Sequence, residues 1–408
     1  MLEALDIMMW EISAETPWVM PLSFALFGAC VGSFLNVVIY RLPLGLSVNE
    51  PRRSFCPTCR TEIPWYLNIP LLSWLMLGGK SACCKQKIPV RYWLVELVCA
   101  LFFAATAYLL GQEQSVSFAA LVSICVWGAA TLSILCIDWE QMIVLPSLTL
   151  IAAGAGLVAT WADPWNLYGC NEAEDAIVLS LGSAVGVFVL LKLIGLIGKL
   201  LFGGRRKEYG TPQRWTLHQK GDDLELTVGN DSYCWSELFM ENGNRMRLEE
   251  ATICTHPGCA KGALRFTAET CTLPDGTVLA LEDYDSLEGE CLNMDTRREA
   301  LGSGDAWIAL AIGTLCGWMG TCFALVAGSV LGLVWALVAG LGRGKAMPFG
   351  PVFIIGAWLY LFWGRQLAEQ FLPLNSSHEN PIELRRPAAL APGLYSPGAG
   401  GGGTALAN

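Results

Sequence analysis

Two aspartates lie where apolar stretches of the sequence end or begin, and such positions suit acid-base chemistry. Asp138 closes one apolar run in "ILCIDWEQM", and Asp305 opens another in "LGSGDAWIAL". Two carboxyl groups brought close together share a proton, because ionising both would place like charges in a poorly solvated site. The ionised group can then activate a water, and the protonated group can polarise a peptide carbonyl. The two aspartates are therefore candidates for peptide hydrolysis that needs no cofactor.

Two glycines next to Asp305 favour a close approach at this position. Gly302 and Gly304 carry no Cβ, so the start of a helix here can come close to a substrate and to an opposing helix. Asp138 and Asp305 can also have a purely structural role. Each aspartate can mark the place where a membrane span meets water, with Asp305 stabilised by the dipole at a helix N-terminus.

The composition indicates an integral membrane protein that positions these acids on helices. The chain has 408 residues, of which 53% are hydrophobic and 15% charged, and its mean hydropathy is +0.45. Such a chain has too little polar surface for a soluble globule. Apolar stretches of about 20 residues, enough to cross a ~30 Å hydrocarbon core, predict an all-α polytopic protein of about eight helices. The expected spans are approximately 18–40, 93–111, 116–137, 144–162, 176–202, 306–321, 323–341 and 349–367.

The sixth and seventh spans come from dividing one long apolar run, and leaving it whole reduces the count to seven. Basic residues are frequent in 41–92 and absent from the loop at 163–175. Because basic short loops stay cytoplasmic, the first span is expected to run inward, with Asp138 and Asp305 at the cytoplasmic face. The net charge of −10 argues against nucleic acid as a partner, since phosphate binding needs clustered Lys and Arg. The lipid membrane is the expected surrounding.

A long polar block at 203–300 interrupts the spans. It contains short runs of β-forming residues, such as WTLHQ and LELTV, separated by turn signals such as KGDD and PDG. We expect a small β-rich cytoplasmic domain here. Its "CTHPGC" stretch offers Cys254, His256 and Cys259 as a possible second metal site, with buried thiols as the alternative. The expected divisions are 1–40 (N-terminal segment and first span), 41–92 (cytoplasmic cysteine-rich loop), 93–202 (spans two to five), 203–300 (inserted domain), 301–371 (spans six to eight) and 372–408 (disordered tail).

Six blocks of sequence follow one another along the chain: "GACVGSFLNVVIYRLP", "CPTC", "NIPLLSWL", "RYWLVELV", "EALGSGD" and "MPFGPVFIIGA". In sequence and in order they resemble the blocks of the type IV prepilin peptidases, the GxGD-type membrane aspartic proteases. The resemblance implies that Asp138 and Asp305 are the catalytic pair. It also implies cleavage of the basic leader from prepilins or pseudopilins at the cytoplasmic face of the bacterial inner membrane, and N-methylation of the new terminus with S-adenosylmethionine.

The chain departs from the family pattern at several positions. Ser147 replaces an aspartate after a spacing that is one residue longer, so an exchange of roles between Asp138 and Glu140 stays open. Trp307 replaces a lysine after the second aspartate. A family member that has lost activity and serves as a membrane assembly or transport component is the alternative function.

The resemblance also implies a zinc site in the cysteine-rich loop. The family carries two CxxC pairs, and thiolates of this kind suit tetrahedral zinc. In this chain Ser81 stands at the place of one cysteine, so the expected ligands are Cys56, Cys59, Cys84 and the adjacent Cys83. Unligated reduced thiols are the alternative interpretation.

Overall fold

The computed structural model describes residues 2–50, 56, 58–113, 116–202, 204–220, 223–239, 245–255, 258–297, 302–339 and 348–364. The segment at 372–408, predicted to be disordered, lies outside the described residues. The helices are α1 (Leu2–Glu15), α2 (Val19–Arg41), α3 (Leu72–Met76), α4 (Val90–Ala105), α5 (Phe118–Gln141), α6 (Pro146–Ala162), α7 (Pro164–Tyr168), α8 (Ala173–Phe202), α9 (Trp235–Leu238), α10 (Ser303–Val338) and α11 (Gly350–Leu359). A 3-10 turn covers Trp65–Leu67, and π-helical turns extend α4 over Thr106–Glu113 and α11 over Tyr360–Gly364.

The helices make this a polytopic membrane protein, but the expected eight spans are not what the structure describes. Within the described residues, five helices are long and apolar enough to cross a membrane, whereas Pro146–Ala162 and Gly350–Gly364 are shorter apolar helices. The predicted sixth and seventh spans both lie in α10, which contains one non-helical residue, Gly317. The predicted division of this run is therefore present, but at Gly317 and not near residue 322, because "TCFALV" contains no residue that stops a helix.

Helix α10 reverses its direction at Gly317. This residue has φ 64° and ψ −170°, a conformation that is open essentially to glycine alone. Ile308 lies beside Gly350, and the ring of Trp335 lies 5.5 Å from that of Trp139. Both contacts lie at the C-terminal end of α5, whereas a straight helix would separate residues 308 and 335 by about 40 Å. The second half of α10 therefore folds back along α11.

The carbonyl groups freed by this reversal are satisfied by hydroxyl groups from three neighbouring helices. Tyr168 donates to the Gly313 and Thr314 carbonyls at 3.1 and 2.9 Å. Ser180 and Thr160 donate to the Thr314 carbonyl at 2.6 and 3.3 Å. An unpaired carbonyl in a membrane costs several kcal/mol. These hydroxyls therefore stabilise the turn at Gly317.

The first and second spans meet through two glycines of α2. A Cβ at Gly32 would lie 2.7 Å from the Glu96 Cα, and one at Gly28 would lie 2.9 Å from the Cys99 carbonyl oxygen. This spacing of small residues lets two helix backbones pack closely in a membrane. It brings the C-terminal half of α2 against the N-terminal half of α4, where the cysteine-rich loop connects them.

The predicted β-rich domain is confirmed by a sheet of eight antiparallel strands. Its core includes Trp215 and Phe266, whose rings are 5.8 Å apart. Gly204 pairs with Arg297, so the two ends of the insertion lie side by side. The domain thus enters between α8 and α10 without separating them. The strands are β1 (Gly204–Lys220), β2 (Asp223–Val228), β3 (Asp231–Cys234), β4 (Arg245–Thr255), β5 (Gly258–Phe266), β6 (Thr270–Thr272), β7 (Val278–Ala280) and β8 (Ser286–Arg297), in the order β3-β2-β1-β8-β4-β5-β6-β7.

Candidate active site

Asp138 lies in the last turn of α5 and is 5% exposed. The helix ends because Met142 adopts a left-handed conformation with φ 55°, and its N–H donates a hydrogen bond to the Asp138 carbonyl at 2.9 Å. The Asp138 carboxylate accepts a hydrogen bond from the backbone N–H of Gly350, the first residue of α11. The side chain is therefore held between the end of one helix and the start of another.

Asp305 lies in the first turn of α10 and is half-buried. Gly302 is the N-cap residue, and the Asp305 N–H donates to its carbonyl at 3.2 Å. A Cβ at Gly304 would lie 2.6 Å from the Val144 Cγ2, so this glycine lets α10 approach the chain between α5 and α6. The close approach predicted for the glycines of "GSGD" is present at Gly304.

The structure brings the two aspartates together. Asp305 lies close enough to Asp138 for their charges to interact. Gly350 lies against Asp138, since a Cβ there would overlap the Asp138 Oδ2 and lie 2.6 Å from the Ile308 Cδ1. Two poorly solvated carboxyl groups whose charges interact favour a state in which only one of them is ionised. Sequence reasoning missed Gly350, although "MPFGPVF" was among the blocks that carried the resemblance.

Glu140 has a different partner. Its carboxylate forms an ion pair with Arg91 at the start of α4. The pair ties the N-terminal end of α4 to the C-terminal end of α5. The contact with Gly350 and the charge interaction with Asp305 belong to Asp138. The arrangement thus favours Asp138 over Glu140 as the partner of Asp305.

Trp307 points toward α8. Its ring lies 5.2 Å from that of Phe188 in an edge-on arrangement. The Lys192 Nζ lies 5.7 Å from the centroid of the same Phe188 ring. Trp307 therefore packs α10 onto α8, and the departure from the family's lysine lies beside the aspartate pair without replacing either carboxyl group.

The four predicted cysteine ligands form one cluster. The Sγ atoms of Cys56, Cys59, Cys83 and Cys84 all lie within 4.8 Å of one another. Tetrahedral zinc with Zn–S bonds of about 2.3 Å needs sulfur atoms roughly 3.8 Å apart. The observed separations of 3.6 Å for Cys56 to Cys84 and 3.3 Å for Cys59 to Cys83 are close to that value. The donor set therefore fits a zinc ion, and both adjacent cysteines, Cys83 and Cys84, belong to the cluster.

Hydroxyl groups favour the thiolate form of two of these cysteines. The Thr61 side chain holds the pKa of Cys59 down at about 6, and the Ser81 hydroxyl lowers the pKa of Cys84. The hydrogen bond to Cys59 raises the pKa of Cys83 to about 11. Ser81 stands where the family pattern has a cysteine, and its Oγ lies 3.1 Å from the Cys84 Sγ. Because metal binding needs thiolates, these hydroxyls assist it.

The second predicted metal set stays a prediction. Cys254 and Cys259 are opposite each other across β4 and β5. Their side chains are not described, and His256 lies outside the described residues.

Comparison with known proteins agrees with this architecture. The family model described as the bacterial peptidase A24 N-terminal domain matches residues 26–110 of this chain. A prepilin leader peptidase/N-methyltransferase from Klebsiella pneumoniae is 37% identical over 192 residues, covering 44% of this chain and 80% of the relative. One from Myxococcus xanthus is 36% identical over 202 residues, covering 48% of this chain and 55% of the relative. One from Aeromonas salmonicida is 24% identical over 391 residues, covering 89% of this chain and 97% of the relative. No solved structure matches the chain significantly. The chain belongs to the prepilin leader peptidase/N-methyltransferase family.

Proposed function

We propose that this protein is a membrane aspartic endopeptidase that removes the basic leader of type IV prepilins or pseudopilins and then methylates the new amino terminus. The proposal is supported by one observation: Asp138 and Asp305, on helix ends that are far apart in sequence, lie near enough for their charges to interact. The relatives described above bear the name prepilin leader peptidase/N-methyltransferase, which supports both activities.

The aspartate pair performs hydrolysis by moving protons. One carboxylate takes a proton from a water, whose oxygen attacks the scissile carbonyl carbon, while the other, protonated carboxyl donates its proton to the carbonyl oxygen. The C–N bond then breaks as the leaving amine receives a proton from the carboxyl that first accepted one. The other carboxylate takes a proton from a hydroxyl group of the tetrahedral intermediate, which becomes the product carboxylic acid. The Gly350 N–H orients the Asp138 carboxylate throughout. Each carboxyl group returns to its starting state.

The site faces the cytoplasm in this proposal, which places it in the bacterial inner membrane. The basic residues of 41–92 follow the first span, and basic short loops remain cytoplasmic. The β-rich domain enters between α8 and α10, on the same side as Asp305. The net charge of −10 steers basic leaders toward this surface. The domain gates or selects substrates.

Zinc and S-adenosylmethionine are the cofactors of the proposal. Cys56, Cys59, Cys83 and Cys84 would hold zinc, which stabilises the loop by joining its two ends. Proteolysis needs no cofactor in this scheme. S-adenosylmethionine supplies the methyl group for the second activity.

The experiment is cleavage of a prepilin leader-junction peptide by the purified full chain. Asp138→Asn and Asp305→Asn are each expected to abolish cleavage while the protein still accumulates in the membrane. Glu140→Gln is the matched control, and it is expected to retain cleavage because Glu140 pairs with Arg91. Cleavage by either aspartate variant refutes the assignment of the pair. An inactive wild-type chain supports the alternative of an assembly or transport component.

A further inference from the structure

The short helix α3 has one face turned toward the rest of the protein. Ser73, Trp74 and Leu77 line a cavity of about 290 Å³, whose wall also includes Asn36 and Trp93. The rings of Trp74 and Trp93 lie 6.0 Å apart, which packs α3 against α4. This side of the helix is therefore held against the second membrane span.

The opposite face of α3 is apolar and exposed. Leu72, Leu75 and Met76 have the i, i+3, i+4 spacing that places side chains on one side of a helix. Their exposed fractions are 49%, 56% and 74%. Large apolar side chains grouped on a surface mark a contact with protein or with lipid. The depth of the helix relative to the membrane decides between these two partners.

The depth of α3 is given by its contact with α4. Leu71, the N-cap residue of α3, donates its N–H to the Glu96 Oε2 at 2.7 Å. The second span covers Val90–Gln112, which is about 35 Å of helix, and Glu96 lies about 9 Å from its first residue. A hydrocarbon core of ~30 Å therefore includes the level at which Leu71 meets Glu96. The start of α3 thus lies beside the span at membrane depth.

The backbone of this segment is paired in a way that permits contact with lipid. The Ile69 N–H donates to the Ser73 Oγ at 2.8 Å, and the Ser73 N–H donates to the Ile69 carbonyl at 3.0 Å. Glu96 accepts from the Leu71 N–H, and the Leu77 N–H donates to the Ser73 carbonyl at 3.0 Å. Irregular backbone is tolerated at membrane depth only where its polar groups have partners. These hydrogen bonds supply the partners.

Two lysines follow α3 on a short antiparallel bridge. Lys80 and Lys87 lie directly opposite each other, and both are exposed. Like charges in such a pair repel, and the stretch 78–91 contains no acidic residue. Anionic phospholipid headgroups attract lysines that lie next to a membrane span. The chain that leaves α3 therefore fits a layer of phosphate groups.

We propose that α3 is inserted into the lipid leaflet that borders the cysteine-rich loop. Leu72, Leu75 and Met76 contact acyl chains, and Lys80 and Lys87 contact the phosphate groups of anionic phospholipids. Lipid is the occupant of the apolar face because α3 meets α4 within the hydrocarbon region and because the lysines complement anionic headgroups. The inserted helix ties the cysteine cluster to the membrane surface, since the chain runs directly from α3 to the two adjacent cysteines of that cluster.

The test is photo-crosslinking of the purified full chain in nanodiscs that contain equal amounts of phosphatidylcholine and phosphatidylglycerol. The photoreactive residue p-benzoylphenylalanine replaces Leu75 or Met76, one at a time, and mass spectrometry detects the attached phospholipid. Leu101 of α4 is the positive control and Val278 of β7 is the negative control. Both are 59% exposed, and they lie in a membrane span and in the β-rich domain, respectively.

The expected result is the formation of lipid adducts at both positions of α3. The adduct yield at Leu75 and Met76 is expected to equal that at Leu101 and to exceed that at Val278 about tenfold, because a leucine-sized side chain favours lipid over water by at least this factor. The ratio of phosphatidylglycerol to phosphatidylcholine adducts at Met76 is expected to exceed that at Leu101 about fivefold. The double substitution Lys80→Gln and Lys87→Gln is expected to remove this excess.

Adduct yields at Leu75 and Met76 that match the yield at Val278 overturn the proposal. Crosslinks to a second copy of the chain, or to a prepilin peptide added to the nanodiscs, in place of phospholipid also overturn it, because the apolar face is then a protein-docking surface. An adduct ratio that the two lysine substitutions leave unchanged refutes the contact with headgroups. Thermal unfolding of each variant shows that the fold is retained, and the measurement does not depend on peptidase activity.

Discussion

The substitution Gly350→Ala tests whether the packing around Asp138 sets the geometry of the aspartate pair. The added Cβ would overlap the Asp138 Oδ2 and lie 3.2 Å from its Cγ and 2.6 Å from the Ile308 Cδ1. Carbon atoms pack best at about 3.5 to 4.0 Å, so either side chain or α11 must move by roughly 1 Å. Misplacing a reacting group by about 1 Å costs on the order of 100-fold in rate.

The expected result is a fall of about 100-fold in kcat for leader-peptide cleavage, with a loss of stability of about 1 to 3 kcal/mol from overpacking. The matched control is Gly154→Ala. A Cβ at Gly154, which also lies in an apolar helix, would meet nothing within 4 Å. The control is expected to keep the wild-type rate and to gain about 0.5 to 1 kcal/mol, because alanine favours helix more than glycine does.

Cleavage is followed by mass spectrometry on detergent-purified protein, and thermal unfolding reports stability in parallel. A Gly350→Ala variant that cleaves at the wild-type rate refutes the reasoning, since a methyl group cannot enter this space without moving its neighbours. Equal losses of rate in Gly350→Ala and Gly154→Ala would also contradict it, because the effect would not then depend on contact with Asp138.

Three further predictions concern the fold and the metal. Gly317→Ala is expected to destabilise the membrane part by about 1 to 3 kcal/mol, since φ 64° with ψ −170° strains any side chain. Gly182→Ala, where a Cβ meets nothing within 4 Å inside α8, is expected to raise thermal stability slightly, as Gly154→Ala does. Cys56→Ser is expected to lower zinc content measured by mass spectrometry, and Cys30→Ser, an exposed cysteine of α2 outside the cluster, is not. Replacing 205–296 by a short Gly/Ser linker is expected to preserve membrane accumulation, because Gly204 and Arg297 are already paired, and to change which substrates are cleaved; unchanged cleavage of every substrate would contradict a selecting role.

Much of the candidate site could be predicted from local sequence signals. Asp138 and Asp305 were identified because ionisable groups are costly at membrane spans and because apolar runs reveal helix ends. The β-rich insertion was predicted because period-two patterns and turn residues act over short distances. The ordered blocks gave the resemblance that the family comparison confirms.

The position of the reversal in α10 could not be predicted in the same way. The apolar run is too long for a single crossing, which predicted a division, but hydropathy contains no information on the residue at which such a run folds back. Gly317 resembles the other glycines of this run in sequence. Its role depends on Tyr168 and Ser180, which satisfy the freed carbonyls from other helices.

The sequence by itself determined that the chain is a membrane protein, which two carboxyl groups stand at its helix ends, and which family it joins, because each of these depends on residue type and local order. Only the tertiary structure decided that the Gly350 N–H donates to the Asp138 carboxylate, that Arg91 forms an ion pair with Glu140, and that Asn36 and Trp93 line the same cavity. These are contacts between residues distant in the chain, and they arise only when the helices pack.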